Sequence, residues 1–373
     1  MIGRKIEDLI KSRLFKGKTL LVFGPRQVGK TTLLNEILKT TDVQGIYLNA
    51  DLPVIREGLS NAGFEQIGAT IGTNKLVVID EAQRIKNIGL TLKIMHDNFP
   101  DVQVLATGSS AFELANDINE PLTGRKIEFK MYPISWAELV ENTGYLQALD
   151  QLENRMIYGM YPDVINNKGN EDEILTELNT SYLYKDLLSY SGIRKPQILE
   201  KLLKALALQL GNEVSLSELG RMLEIDKATV ENYLDLLEKA FVIFRLQPFS
   251  RNLRNEITSS RKIYFYDNGI RNAIIQNYNG LNLRNDTGAL WENFLISERM
   301  KKNQYERRIV SNYFWRTHAQ QEIDYVEESN GQLESFEFKW NPKAKTKFPL
   351  PFKNEYSPTK SEVIHRENFN TFL

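Results

Sequence analysis

Apolar residues fall into three successive patterns along this chain. Near the start they form short runs, Leu20–Phe23, Leu76–Ile79 and the stretch from Val102, each expected to be a strand, with the unbroken run Leu76–Ile79 suited to burial on both faces of a parallel sheet. Gly45–Asp51 predicts a further strand with a polar end, and Ile6, Ile10 and Leu14 share one stripe of a short helix. From Leu149 to Leu210 the spacing becomes helical, broken at Gly159/Pro162 and again at Gly192–Pro196. Ser215–Glu224 predicts a short helix, Ile225–Lys227 a turn, and Ala228–Ala240 a second helix with Val230, Leu234, Leu237 and Phe241 inward. A strand follows over Phe241–Leu246. Beyond a helix at Gly288–Glu298, alternation takes over: strands are expected near Tyr313–Arg316, at Gln321–Val326 and at Ser335–Trp340. Asn330-Gly331 is the hairpin turn between the last two.

A chain of 373 residues with these changes of period predicts several domains. Hydrophobic content of 42% and charged content of 25% are those of a globular protein. The absence of cysteine excludes disulfides, thiolate metal sites and cysteine nucleophiles, and the three histidines are too scattered for an imidazole cluster. With a net charge of −1, any contact with nucleic acid needs a local basic patch. No leader or membrane-length apolar run is evident, so a cytoplasmic protein without membrane contact is expected.

Chemistry concentrates after the first apolar run. Gly24, Gly29, Lys30 and Thr31 complete the pattern G-x-x-x-x-G-K-[ST], and Pro25, Arg26, Gln27, Val28 and Thr32 belong to the same loop. The glycines let consecutive N–H groups point at one centre, and the helix that follows adds its unsatisfied amides. Lys30 is placed for the β- and γ-phosphates of ATP, Thr31 for Mg2+. Asp80 and Glu81 emerge where the next buried strand ends: Asp80 suits the Mg2+ shell, Glu81 the polarising of an attacking water. An acidic helix start is the plainer reading of that pair. Thr107 and Ser109, at the end of a strand expected between those two, are candidates to sense the γ-phosphate. Thr-Gly-Ser-Ser is also a plausible loop or helix cap. Arg125 is a candidate arginine finger, in cis or across a subunit interface, and Asp51 either shapes the site or is a solvated strand end.

The ordered set Gly24–Thr32, Ile79–Gln83, Thr107–Ser110, Leu122–Arg125 and Tyr132–Glu138 resembles the prokaryotic AAA-type P-loop ATPases that carry a C-terminal domain of unknown function. Gly159–Asp163, Tyr184–Asp186, Pro248–Asn252 and Lys262–Gly269 continue the resemblance over essentially the whole chain. It implies ATP binding, ATP hydrolysis and an undefined cellular task. The segment from Leu149 is similar to the helical lid beside an AAA nucleotide site.

The two helices and strand after Ser215 predict a winged helix. Its second helix carries Glu231, Asp235 and Glu238, which repel phosphate, and only Asn232 suits base readout. Arg245, Arg251, Arg254, Arg261 and Lys262 lie along the wing and its exit, which leaves backbone contact with DNA open beside a protein-contacting role. In the last part Asp324, then Glu337-Phe-Lys339, with Glu292 on the preceding helix, resembles the metal-dependent restriction-endonuclease-like fold. There Glu292, Asp324 and Glu337 would hold Mg2+ and Lys339 would orient water or steady charge at phosphorus. A salt-bridged surface is the alternative. The Lys- and Pro-rich stretch after Pro342 is either an arm covering the strands or a loop touching phosphate.

The expected architecture is α/β. A P-loop parallel-sheet ATPase core spans residues 1–148, a helical lid 149–204, a winged helix 205–254, and a restriction-endonuclease-like α/β domain 255–373. Its function would be that of an ATP-driven switch or motor coupled to a nuclease-like module. The alternatives are a docking protein with a silent C-terminal domain and a winged-helix DNA-binding regulator. Partners in keeping with this are ATP and ADP, DNA through the wing and C-terminal domain, a protein partner, and further copies of the chain.

Overall fold

The computed structural model describes residues 2–108, 121–180, 196–251, 261–317 and 319–373. The chain divides into two compact units, Met1–Ile134 with Lys239–Phe241, and Ser135–Glu238 with Val242–Leu373. Ser109 of the candidate site, Tyr184–Asp186 of the family resemblance and Arg254 of the wing lie outside the described residues.

The first unit is built on a five-stranded, wholly parallel sheet in the order β2-β3-β4-β1-β5. Its strands are β1 Thr19–Phe23, β2 Gly45–Asn49, β3 Leu76–Asp80, β4 Gln103–Gly108 and β5 Lys126–Lys130. Every residue of β1, β3 and β4 is buried, because helices pack the faces of a parallel sheet and leave these central strands no wet side. β4 lies between the strand leading to the phosphate loop and the strand carrying Asp80. The helix Lys5–Lys11 buries Ile6 and Ile10, as its stripe predicts.

The second unit holds a seven-stranded sheet in the order β12-β11-β10-β9-β7-β8-β6. Its strands are β6 Glu213–Val214, β7 Ile243–Pro248, β8 Arg261–Phe265, β9 Ser311–Arg316, β10 Glu322–Ser329, β11 Gln332–Phe338 and β12 Lys360–Ile364. The helices Leu216–Leu223 and Lys227–Lys239 precede β7, and the second buries Val230, Leu234 and Leu237. β8, beyond residue 254, pairs antiparallel with both β7 and β6. β7 also pairs in parallel with β9 through Gln247 and Pro248, so one sheet runs unbroken past that position.

The hairpin between β10 and β11 turns at Asn330 and Gly331, both at positive φ (52° and 76°), and sets Tyr325 opposite Phe336. That is the twist a two-residue hairpin loop needs. Phe249, Trp315, Ile323, Val326, Leu333 and Phe352 form one core of this sheet. Phe352 comes from the helix Leu350–Tyr356, so the segment after Pro342 covers the strands before returning as β12, parallel to β11.

Candidate nucleotide site and a buried acid–lysine cluster

The glycine-bounded loop opens at the C-terminal end of β1. A Cβ on Gly24 would lie 2.2 Å from the carbonyl oxygen of Met131, so only glycine lets the loop pass this close to the chain after β5. Gly29, at φ 95°, makes the left-handed turn into the helix Lys30–Thr40. Within the loop the Lys30 ammonium, 5% exposed, donates to the carbonyls of Gly24 (3.0 Å) and Pro25 (2.8 Å). Val28 is buried, and its carbonyl accepts from the Arg4 guanidinium at 2.6 Å; Arg4 also donates to the carbonyl of Tyr132. Thr31 and Thr32 are exposed, and Gln27 is at positive φ.

The buried carboxylate of Asp80 closes the far side. One oxygen accepts from the hydroxyls of Thr31 and Tyr47, both at 2.6 Å, and the other from Thr107. Burial first, and then the hydrogen bond to Asp80, pushes the Tyr47 hydroxyl well above its usual range, which keeps it a donor. Glu81 sits at φ 53°, a left-handed conformation that costs a non-glycine residue on the order of 1 kcal/mol and is common where function over-determines the backbone. Its amide donates to Thr107 (3.1 Å), and its carboxylate accepts from Gln83 (2.6 Å).

In the second unit, Glu292 of the helix Thr287–Tyr305 meets Lys262 and Tyr264, two residues apart and so on one face of β8. Lys262 lies 3.2 Å from Glu292 and pairs with Glu322 as well; the Tyr264 hydroxyl donates to the same oxygen of Glu292. Lys339, just past β11, donates to Glu337 at 3.0 Å and lies 3.6 Å from Asp324, which accepts from the Phe338 amide. Burial and the neighbouring Asp324 push Glu337 up to about 7. Glu292 also rises to about 7: burial and Asp324 outweigh the opposing pull of Lys262. Burial works against the charge on Lys262, but Glu292, Asp324 and Glu322 together outweigh it and hold the ammonium protonated.

The four residues expected to form a metal centre are therefore brought together, but as an acid–lysine cluster. Among the described residues no group of three or more His, Asp or Glu side chains could hold a metal ion. The donor set does not fit the ion expected from Glu292, Asp324 and Glu337. Ammonium groups already balance these carboxylates, and a dication would have to displace them from a buried site.

Comparison with known proteins bears on the first unit. Residues 16–140 match the family described as AAA domain, residues 287–372 a domain of unknown function (DUF4143), and residues 149–284 another (DUF8612). The chain carries an AAA domain. An uncharacterized protein of Mycobacterium tuberculosis is 29% identical over 344 residues, 88% of this chain and 72% of that one. An uncharacterized protein of Methanocaldococcus jannaschii is 24% identical over 342 residues, 85% of this chain and 74% of the other. Among solved structures, the Thermotoga maritima RuvB Holliday junction branch migration motor aligns with a TM-score of 0.33 and 16% identity, over 65% of this chain and 90% of that one. Drosophila ORC bound to AT-rich DNA and Cdc6 aligns with a TM-score of 0.25 and 12% identity, over 73% and 91%.

Within the AAA domain, Thr31, Asp80, Glu81 and Thr107 converge beside the Lys30 loop. Arg125 does not join them. It precedes β5, whose Lys126 pairs with Thr19 at the start of β1, so Arg125 stands at the opposite end of the strands, bound to Asp97 at 2.7 Å. An arginine finger in cis is excluded by that placement. Asp51 is an exposed strand end paired with Arg84. Two residues were not foreseen. Tyr47 stands in β2 two residues before its polar end, a position the period of two could have flagged. Arg4 precedes the apolar stripe of its helix and gave no signal.

Two of the wing's described arginines are held by acids of the preceding helix. Arg245 meets Glu231 (3.0 Å), Asp235 (2.6 Å) and Glu238, and Arg261 meets Glu231. Among the described residues no helix is long and apolar enough to cross a membrane.

Proposed function

We propose that the AAA domain binds and hydrolyses ATP with Mg2+, and that turnover sets the orientation of a nuclease-like, catalytically silent C-terminal module that docks a partner. The convergence of three hydroxyls on Asp80 beside the Lys30 loop carries this reading. Thr31 and Asp80 offer hard oxygen donors, as magnesium requires, at the mouth of a phosphate cradle. The ion, when bound, neutralises charge on the β- and γ-phosphates. Lys30 exchanges its two loop carbonyls for phosphate oxygens. Thr107 fixes the Glu81 amide, and the Glu81 carboxylate orients the attacking water. Lys30→Ala is expected to weaken ATP binding by at least about 100-fold; unchanged affinity in a nucleotide titration refutes the site.

The boundaries 1–148, 149–204, 205–254 and 255–373 serve as the domain proposal, with one amendment. The helix pair, β6, β7 and β8 support a winged helix that extends to Phe265. Its paired arginines favour a protein contact over DNA readout. The succession of long helix, β9, β10, β11, helix and β12 supports the restriction-endonuclease-like assignment. The lysines within its acid cluster favour docking over cleavage. Mg2+-dependent DNA cutting by the wild type, lost in Glu337→Ala with ATPase intact, would replace docking by the nuclease reading.

A further inference from the structure

We propose that Lys262 is the resident cation of the C-terminal acid cluster, filling with its ammonium the place a divalent ion would take, so that this cluster holds no metal. The inference deepens the docking reading of the module and rests on it for its meaning, but its test involves neither nucleotide nor DNA.

Three observations carry it. The Lys262 side chain is 2% exposed and comes from β8, outside the strands that carry Asp324 and Glu337, yet it ends between carboxylates of two different elements, Glu292 on the long helix and Glu322 on β10. The ammonium also lies 5.6 Å from the centre of the Phe314 ring, a favourable place for a desolvated cation. The Tyr264 hydroxyl donates to the same Glu292 oxygen as Lys262, so two protein donors meet at that oxygen without any ion. Entry of Mg2+ at the Glu292 oxygen shared by Lys262 and Tyr264 would displace both donors and leave the buried ammonium with its ion pair to Glu322.

Mn2+ binding to the full chain, followed by the EPR signal of free Mn2+ without nucleotide, tests this. An Asp80→Asn background removes the AAA site from the count. With Lys262 present, no bound Mn2+ should respond to Glu292→Gln. Lys262→Met should gain a bound ion, and adding Glu292→Gln should abolish that gain. Lys262→Gln serves if the methionine variant does not fold, as judged by circular dichroism. Two results overturn the proposal. One is Mn2+ bound to the Asp80→Asn chain with an affinity that Glu292→Gln or Asp324→Asn lowers about tenfold or more; the other is a folded Lys262 variant that gains no ion. Neither bears on ATP affinity, so the nucleotide reading survives or fails separately.

Discussion

Tyr47→Phe removes one hydroxyl from the acid at the heart of the AAA domain and leaves its ring in place. Asp80 then keeps Thr31 on the same oxygen and Thr107 on the other, so no acceptor is orphaned and only one bond is lost. A hydrogen bond to a charged group contributes about 1.5–3 kcal/mol, and Tyr47 is only half-buried, so the low end applies: about 1.5 kcal/mol. That corresponds to about tenfold in the opening equilibrium of the strands it joins. All four tryptophans lie in the second unit, so their fluorescence does not report on this sheet. Hydrogen–deuterium exchange of peptides covering β2 and β3 does, because the amides that pair the edge strand β2 with β3 exchange only when that part of the sheet opens. The expected result is about tenfold faster exchange in β2 and β3 of the nucleotide-free variant, with the second unit unchanged. Exchange within about twofold of wild type, while Thr107→Val loses protection, would refute Tyr47 as a strut of Asp80.

Two other outcomes follow from the second unit. Glu292 and Glu337 titrate near 7 when folded and near 4.5 when unfolded, and buried Glu298 and Asp267 shift the same way. The folded chain therefore binds more protons between about pH 5 and pH 7, and stability falls as pH rises through that window, by on the order of 3 kcal/mol. Urea midpoints from tryptophan emission should be lower at pH 8 than at pH 5, and Glu337→Gln should flatten the difference. Arg245→Met strips Glu231, Asp235 and Glu238 of their shared partner. Because those acids are 31–44% exposed, the expected loss is about 1–2 kcal/mol in the same assay, with no change in the salt dependence of any DNA binding.

What the sequence determined by itself is local. The phosphate loop is legible because its chemistry needs particular residues at fixed spacing, and Gly24 and Gly29 occupy backbone positions few others tolerate. Asp80–Glu81 follows from a buried apolar run that must end at the ligand edge of a parallel sheet, and Asn330-Gly331 from a turn that demands positive φ twice. What only the tertiary structure decided depends on pairings between distant strands. Arg125 reads as a partner of the nucleotide until strand direction places it at the other end of β5. Lys262 reads as a basic residue of a wing until β8 joins β7 and lays it against Glu292 and Glu322. Residue types and spacing carry no record of which strands become neighbours, because that choice is made by side-chain packing across the whole sheet; the partner of each buried charge is fixed at the same step.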